Sequence, residues 1–219
     1  MLKLATRHSQ PVTRPGQSLI ETLVAMGLLV SAVTVLMSMV ISASSSRSAN
    51  EYATIAANLA REGVEVVVAK RNDNWINDLA FDNGMYIGSG ASSDYTFGLA
   101  FDPAAAAWSF VNTPAGGAPN TVNDSLAKVY IYTSGANAGL MVQGTVLTPK
   151  PANTANTPYS RLVTLDPICY NGTTETTVTS GSCTGSFIKI GVRITSTVQW
   201  LIRGVAHNVS AVETIYDWR

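Results

Sequence analysis

Nineteen consecutive residues, Leu23–Ile41, carry no charge and no proline. They include a single glycine, Gly27, and three small hydroxyl residues, Ser31, Thr34 and Ser38. Wound as a helix at about 1.5 Å per residue, the run is about 28 Å long, close to the roughly 30 Å hydrocarbon thickness of a bilayer. A helix that is apolar on every side must be covered by lipid or by other helices. Its flanks set a direction. Lys3, Arg7 and Arg14 precede it with no carboxylate before Glu21, and only Arg47 follows closely. The excess of cations predicts a cytoplasmic N-terminus, with the chain after about residue 45 on the extracytoplasmic side.

The rest of the composition narrows the partners. With 219 residues, the chain has room for one ordinary domain and an appendage. Fourteen basic residues balance fourteen acidic ones and only 13% of residues are charged. This excludes a polybasic nucleic-acid binder and an acidic disordered tail, and no nucleic-acid binding is evident.

Three fates of the leader are open. A secretory signal has an apolar core of about 7–15 residues followed by a small-residue cleavage site. Here the core is longer, although Ile41-Ser42-Ala43 offers such a site. An uncleaved anchor helix is the second fate. The third lies in Arg14-Pro15-Gly16-Gln17-Ser18-Leu19-Ile20-Glu21. An unpaired carboxylate in lipid costs several kcal/mol, so Glu21 at the mouth of the apolar run calls for a partner. Cutting the Gly16–Gln17 bond removes the leader cations and creates an α-ammonium on Gln17, four residues from Glu21. That ammonium can pair with Glu21 of the same chain or of a neighbour, setting helices in register.

A short basic leader ending in Gly, a cut before an apolar helix and Glu at the fifth position after it resemble the prepilin signal of type IV pilins and type II secretion pseudopilins. The resemblance implies cleavage after Gly16 by a membrane prepilin peptidase, methylation of Gln17, and assembly of sister subunits into a helical filament through Glu21. Gln17 departs from the Phe or Met commonest at the first mature position. Asn58–Val67 and Arg71–Trp75 are also similar to minor pilins, as is the terminal Val-Gln-Trp…Arg-Gly…Val-Ser…Tyr-Asp-Trp. The resemblance further implies that residues after the helix form a variable surface loop.

Beyond Ser42–Ser48, whose composition is that of a linker, Tyr52, Ile55, Ala56, Leu59, Gly63, Val66 and Val67 recur at helical spacing. Glu51, Thr54, Asn58, Arg61, Glu62 and Glu65 take the other face. The spacing predicts one helix from Gln17 to Arg71, apolar in its lower half and amphipathic above, with Lys70 and Arg71 in its last turn. The expected organisation is a leader at 1–16, the apolar half of the helix at 17–42 and its amphipathic half at 43–72. A loop region follows at 73–125 and a β head at 126–219.

Edge strands are expected at Met85-Tyr86-Ile87 and Tyr95-Thr96-Phe97, among turns at Asp82-Asn83-Gly84, Gly88-Ser89-Gly90, Asp102-Pro103 and Ala115–Pro119. Further strands are expected at Leu126–Thr133, Leu140–Leu147, Arg161–Leu165 and Phe187–Trp200. In the last of these, Ile188, Ile190, Val192 and Ile194 alternate with polar neighbours. Arg203-Gly204 reads as a hairpin turn leading back through Ala206–Tyr216. The fold class is therefore α+β, with an antiparallel sheet laid on the upper helix.

Cys169 and Cys183 enclose thirteen residues on the extracytoplasmic side, with neither a Cys-x-x-Cys motif nor a flanking histidine. A disulfide is expected there in preference to a metal site. Little points to catalysis. His8 leaves with the leader, His207 sits alone in a predicted strand, and no nucleophile–base motif, phosphate loop or cofactor signature occurs. Asp73, Asp78, Asp82 and Asn83 offer oxygen ligands, but their spacing is not that of a calcium loop, and a solvated turn is expected. Asn123, Asn171 and Asn208 fit a glycosylation pattern that predicts little in a prokaryote.

Three functions follow: a pilin-like structural subunit, a membrane-anchored or secreted extracytoplasmic binding module, and an anchored enzyme. The missing active-site set counts against the last. Processing before Gln17 separates the first from the others, leaving 11 basic and 14 acidic residues, a charge of −3.

Overall fold

The computed structural model describes residues 15–85, 96–111, 125–145, 147–179 and 182–217. Most of the leader, with Lys3, Arg7, His8 and Arg14, lies outside these residues. So do Tyr86-Ile87, Gly88-Ser89-Gly90, Tyr95, Ala115–Pro119 and Asn123. The chain divides into two compact units, one up to Asn50 and one from Glu51 onward.

The first unit is helical wherever it is described. Helix α1 begins at Pro15 and runs to Ile76, so that its last part belongs to the second unit. Proline is at home in the first turn, where its missing N–H has no helical partner to lose. Ser42–Ser48, linker-like by composition, is helical throughout.

In the second unit the helical segment from Glu51 lies on an eight-stranded antiparallel sheet. The strands are β1 (Thr96–Asp102), β2 (Ala107–Val111), β3 (Lys128–Tyr132), β4 (Met141–Gln143), β5 (Thr154–Tyr170), β6 (Glu175–Thr177), β7 (Ile188–Ile202) and β8 (Val205–Tyr216). The α+β fold expected from the sequence is the fold observed. Strand β5 is the spine. One side pairs along its length with β7, from Tyr159↔Trp200 to Tyr170↔Ile188, and β8 continues outward from β7. The other side takes β3, β1 and β6 in turn. The inward helix face follows the predicted stripe: Ala56, Leu59 and Val67 are buried, joined by Ala60 and Val64.

The helix packs on two hydrophobic clusters, and a third, of Ala100, Val111 and Leu126, lies apart from it. Nearer Glu51, Ala56, Leu59 and Ala60 meet Tyr159, Val198 and Trp200. Nearer the end of α1, Val64 and Val67 meet Phe81, Met85, Phe97, Leu165 and Ile194. Between them Gly63 permits a close approach of helix to sheet. A methyl there would overlap Ser196 Oγ and come within 3.2 Å of Val163 Cγ2.

Several expectations are corrected. The helix ends at Ile76 rather than Arg71, so its last turn holds no basic residue and Asp73 is helical. The extension is fixed by Asn74, fully buried, whose amide donates to Phe81 O at 3.1 Å and Asn83 O at 2.8 Å. Lys70 and Arg71 find side-chain partners instead of the helix terminus: Lys70 faces Asp73 at 3.7 Å, and Arg71 stacks on Trp75 at 4.5 Å.

The stretch 73–125 is more than a surface loop, because β1 and β2 form a hairpin that joins the sheet beside β5. Thr96-Phe97 is therefore interior, with Phe97 and Leu99 fully buried. Asp102 Oδ1 accepts from the Ala104 amide at 2.9 Å and turns the chain, and Ala106 takes the left-handed conformation (φ 49°). Met85 is a buried turn residue, not a strand.

The strand expected at Leu126–Thr133 starts as a 3₁₀ turn, Ser125–Ala127. The one expected at Leu140–Leu147 stops at Gln143, before Gly144 packs on the Pro149 carbonyl. The strand expected at Arg161–Leu165 is the middle third of β5. Strand β7 keeps its alternation from Val192, but Ile188 is 64% exposed. Its turn is where expected, with Arg203 (φ 52°) and Gly204 (φ 83°) both left-handed, as a two-residue hairpin requires.

Candidate assembly helix

The residues expected to carry function lie at the start of α1. Gly16 and Gln17 are in its first turn, so the Gly16–Gln17 bond is part of helical backbone. Glu21 follows one turn later, exposed, and the described residues supply it with no ion-pair partner.

From Leu19 to Ile41 the helix is uncovered on every side. Fifteen large apolar side chains in this stretch are between 50% and 68% exposed. A stripe on one face would suit packing against a single surface; exposure all round suits an apolar medium or a bundle. The helix is long and apolar enough to cross a membrane, an 18-residue stretch of it reaching a mean hydropathy of 2.4.

Its polar atoms suit that medium. Ser31 donates to Leu28 O at 2.8 Å, Ser38 to Val35 O at 2.8 Å, and Thr34 to Val30 O. Each hydroxyl is satisfied by its own helix and needs neither water nor a neighbour. At the N-terminal end Thr22 does the same with Leu19 O at 2.9 Å. Glu21 is left as the group whose charge demands a partner from outside. At an effective dielectric of about 20, a cation about 4 Å away supplies about 4 kcal/mol.

The other expected site residues have bland surroundings, apart from the disulfide. Cys169 and Cys183 are bonded, with Cα atoms 5.6 Å apart, and close a loop containing β6. His207 stacks on Trp200 across the β7–β8 ladder, ring centroids 5.6 Å apart. The acidic residues near the helix end are engaged separately. Asp82 pairs with Lys189, Asp73 lies near Lys70 and accepts from Asn77, and Asp78 is in a left-handed turn. Among the described residues no three His, Cys, Asp or Glu side chains converge in a way that would hold a metal ion.

One buried cluster gave no signal in the sequence. Arg161, 1% exposed, donates from Nε to Gln143 Oε1 at 2.8 Å and from NH1 to Leu59 O at 3.2 Å, with Glu62 at 3.4 Å. Burial lowers its affinity for the proton, and Glu62 opposes that shift. Gln143 also accepts from the Leu99 amide and donates to the Leu126, Ala127 and Arg161 carbonyls. The pair ties β1, β4 and β5 to the upper helix, a structural knot of hydrogen-bonded groups that cannot be left unpaired in the core.

No protein-family model, curated protein or solved structure matches the chain.

Proposed function

We propose that the chain is a structural subunit, a minor pilin, of a type IV pilus or related type II secretion pseudopilus. Prepilin peptidase cuts it after Gly16, and the mature helix first anchors it in the cytoplasmic membrane and then packs among sister subunits in a filament. The observation that carries this reading is α1 itself: apolar side chains exposed on all faces from Leu19 to Ile41, hydroxyls bonded to their own backbone, and one carboxylate, Glu21, at the start.

Lipid and a bundle of like helices both cover such a surface, so the same segment serves before and after assembly. The new α-ammonium on Gln17 is the cation Glu21 lacks, and in an apolar surrounding each group has few other partners. Pairing between neighbours fixes the axial register of one helix against the next. The β head, closed by a disulfide that suits an oxidising compartment, remains outside.

The deciding experiment is mass spectrometry of the N-terminus of protein recovered from the native envelope. A chain starting at Gln17, with or without an added methyl, supports prepilin processing. A start near Ser44 indicates a secreted domain and an intact Met1 a plain anchor; either result overturns the filament reading.

A further inference from the structure

Two groups of exposed apolar side chains lie at opposite ends of the head. Strand β7 measures their separation: fifteen residues, Ile188–Ile202, span about 46 Å. At one end Trp200 and Ile202 pack with Ile55 and Ala56, among the first residues of the upper helix. At the other, Val67, Phe81 and Val192 share a cluster and Lys189 bonds Asp82, so β7 begins beside the turn that follows α1.

The first end carries the β7–β8 turn. Leu201 is 57% exposed and Val205 59%, on either side of the exposed cation Arg203. The second end carries the close of α1. Ile76 is 84% exposed and Leu79 42%, with Asp73 and Asp78 exposed in the same turns. Lys70 lies 3.7 Å from Asp73 yet leaves that side chain 61% exposed. A helix C-terminus also carries a partial negative charge, and the last turn of α1 has no basic residue to meet it.

The two ends complement each other. One offers two aliphatic side chains and a cation; the other offers two aliphatic side chains, carboxylates and the negative pole of a helix. Neither end complements itself, because a symmetric pairing of turns would set Arg203 against Arg203.

We propose that the β7–β8 tip of one head docks on the α1 end of the next copy. Leu201 and Val205 cover Ile76 and Leu79, and Arg203 meets the helix terminus and Asp73. A contact between two different surfaces is heterologous and stays open at both ends, so it repeats from copy to copy. It rests on the filament reading above and names a head contact within it. So few side chains bind weakly alone, and the packing of the apolar helices supplies the effective concentration at which the contact forms.

The test uses the full chain in cells. The envelope is oxidised mildly, sheared filaments are collected, and products are read on non-reducing immunoblots. Leu201→Cys and Leu79→Cys in one chain should give a ladder of dimers, trimers and longer products, since the two sites are too far apart to bridge within one head. Either single variant should stay monomeric, and the two singles produced together should stop at dimers. Adding Arg203→Glu to the double-cysteine chain should remove most of the ladder, and adding Asp73→Arg to that should restore part of it. Dimers from a single variant would reveal a symmetric contact and overturn the proposal, as would a ladder that Arg203→Glu leaves intact or a loss that Asp73→Arg leaves unrepaired. A double-cysteine chain that starts at Gln17 and reaches sheared filaments without a ladder overturns the head contact and leaves the filament reading standing. Absence from filaments together with absence of a ladder removes both.

Discussion

Gly63 lies at a close approach of α1 to the sheet, and the side chain opposite, Ser196, is fully buried. Ser196 Oγ has no hydrogen-bond partner among the described residues. Gly63→Ala is therefore expected to destabilise the head by about 1–3 kcal/mol, the usual cost of overpacking. Ser196→Ala should be near neutral alone and should recover part of the loss in the double variant. Urea unfolding of the four proteins checks this, and simple additivity would show that the two sites do not touch.

Tyr159 offers a titration at the same scale. Burial, with smaller contributions from Tyr52 and Glu51, pushes its hydroxyl up to about 12, whereas an unfolded tyrosine ionises near 10. The folded state thus holds this proton more tightly. Its contribution to stability is complete below pH 10 and is lost as the pH rises from 10 to about 12. Alkaline unfolding followed by circular dichroism should lose this component in Tyr159→Phe. Glu21, in contrast, is tested by assembly: Glu21→Ala should leave cleavage after Gly16 intact and remove the protein from filaments, and normal incorporation on immunoblots of sheared filaments would defeat the pairing argument.

At the scale of elements, patterns that depend on near neighbours in the sequence were legible. The nineteen-residue apolar run, the upper helical stripe and the Arg203-Gly204 turn each follow from local spacing, and each is present. What was hidden depends on distant residues. Strand β5 contains Pro158 and Pro167, which break a strand pattern read locally. In the fold Pro158 sits where the β3–β5 register shifts, between the pairs Lys128↔Ser160 and Tyr130↔Asn156. Pro167 O accepts the Val178 amide at 2.9 Å just past the end of β6, so its missing N–H costs no ladder bond there.

The β1–β2 hairpin was hidden by its alanine run, which is a turn and strand start only because Asp102 caps it. Arg161 and Gln143 read as ordinary polar residues until five segments of chain converge on them. At the candidate site, the position of Glu21 relative to the apolar run was legible. The way the hydroxyls of Ser31, Thr34 and Ser38 fold back on their own helix appeared only with the structure.

At the scale of the molecule, the disulfide is the covalent constraint on the head. Bridging residues 14 apart contributes about 3 kcal/mol on the chain-entropy account. Replacing both cysteines with alanine should lower the denaturation midpoint by a corresponding amount without changing the far-ultraviolet spectrum. A loss of strand signal would instead mean that β6 and the end of β5 need the bridge to form.

The arrangement of the sheet around β5 also sets a timetable. Strands β1 and β3 have their places beside β5, yet each leaves the ribosome before it, and β7 follows. Until Thr154–Tyr170 has been made, the valines and leucines of the upper helix have no floor to lie on. For most of its synthesis the head is thus a helix with a bare apolar flank and short strands without their spine. Sheets assembled from such distant segments close slowly. The vulnerable interval of this protein is the span of translation before its fifth strand arrives, when a holding chaperone would find most to bind.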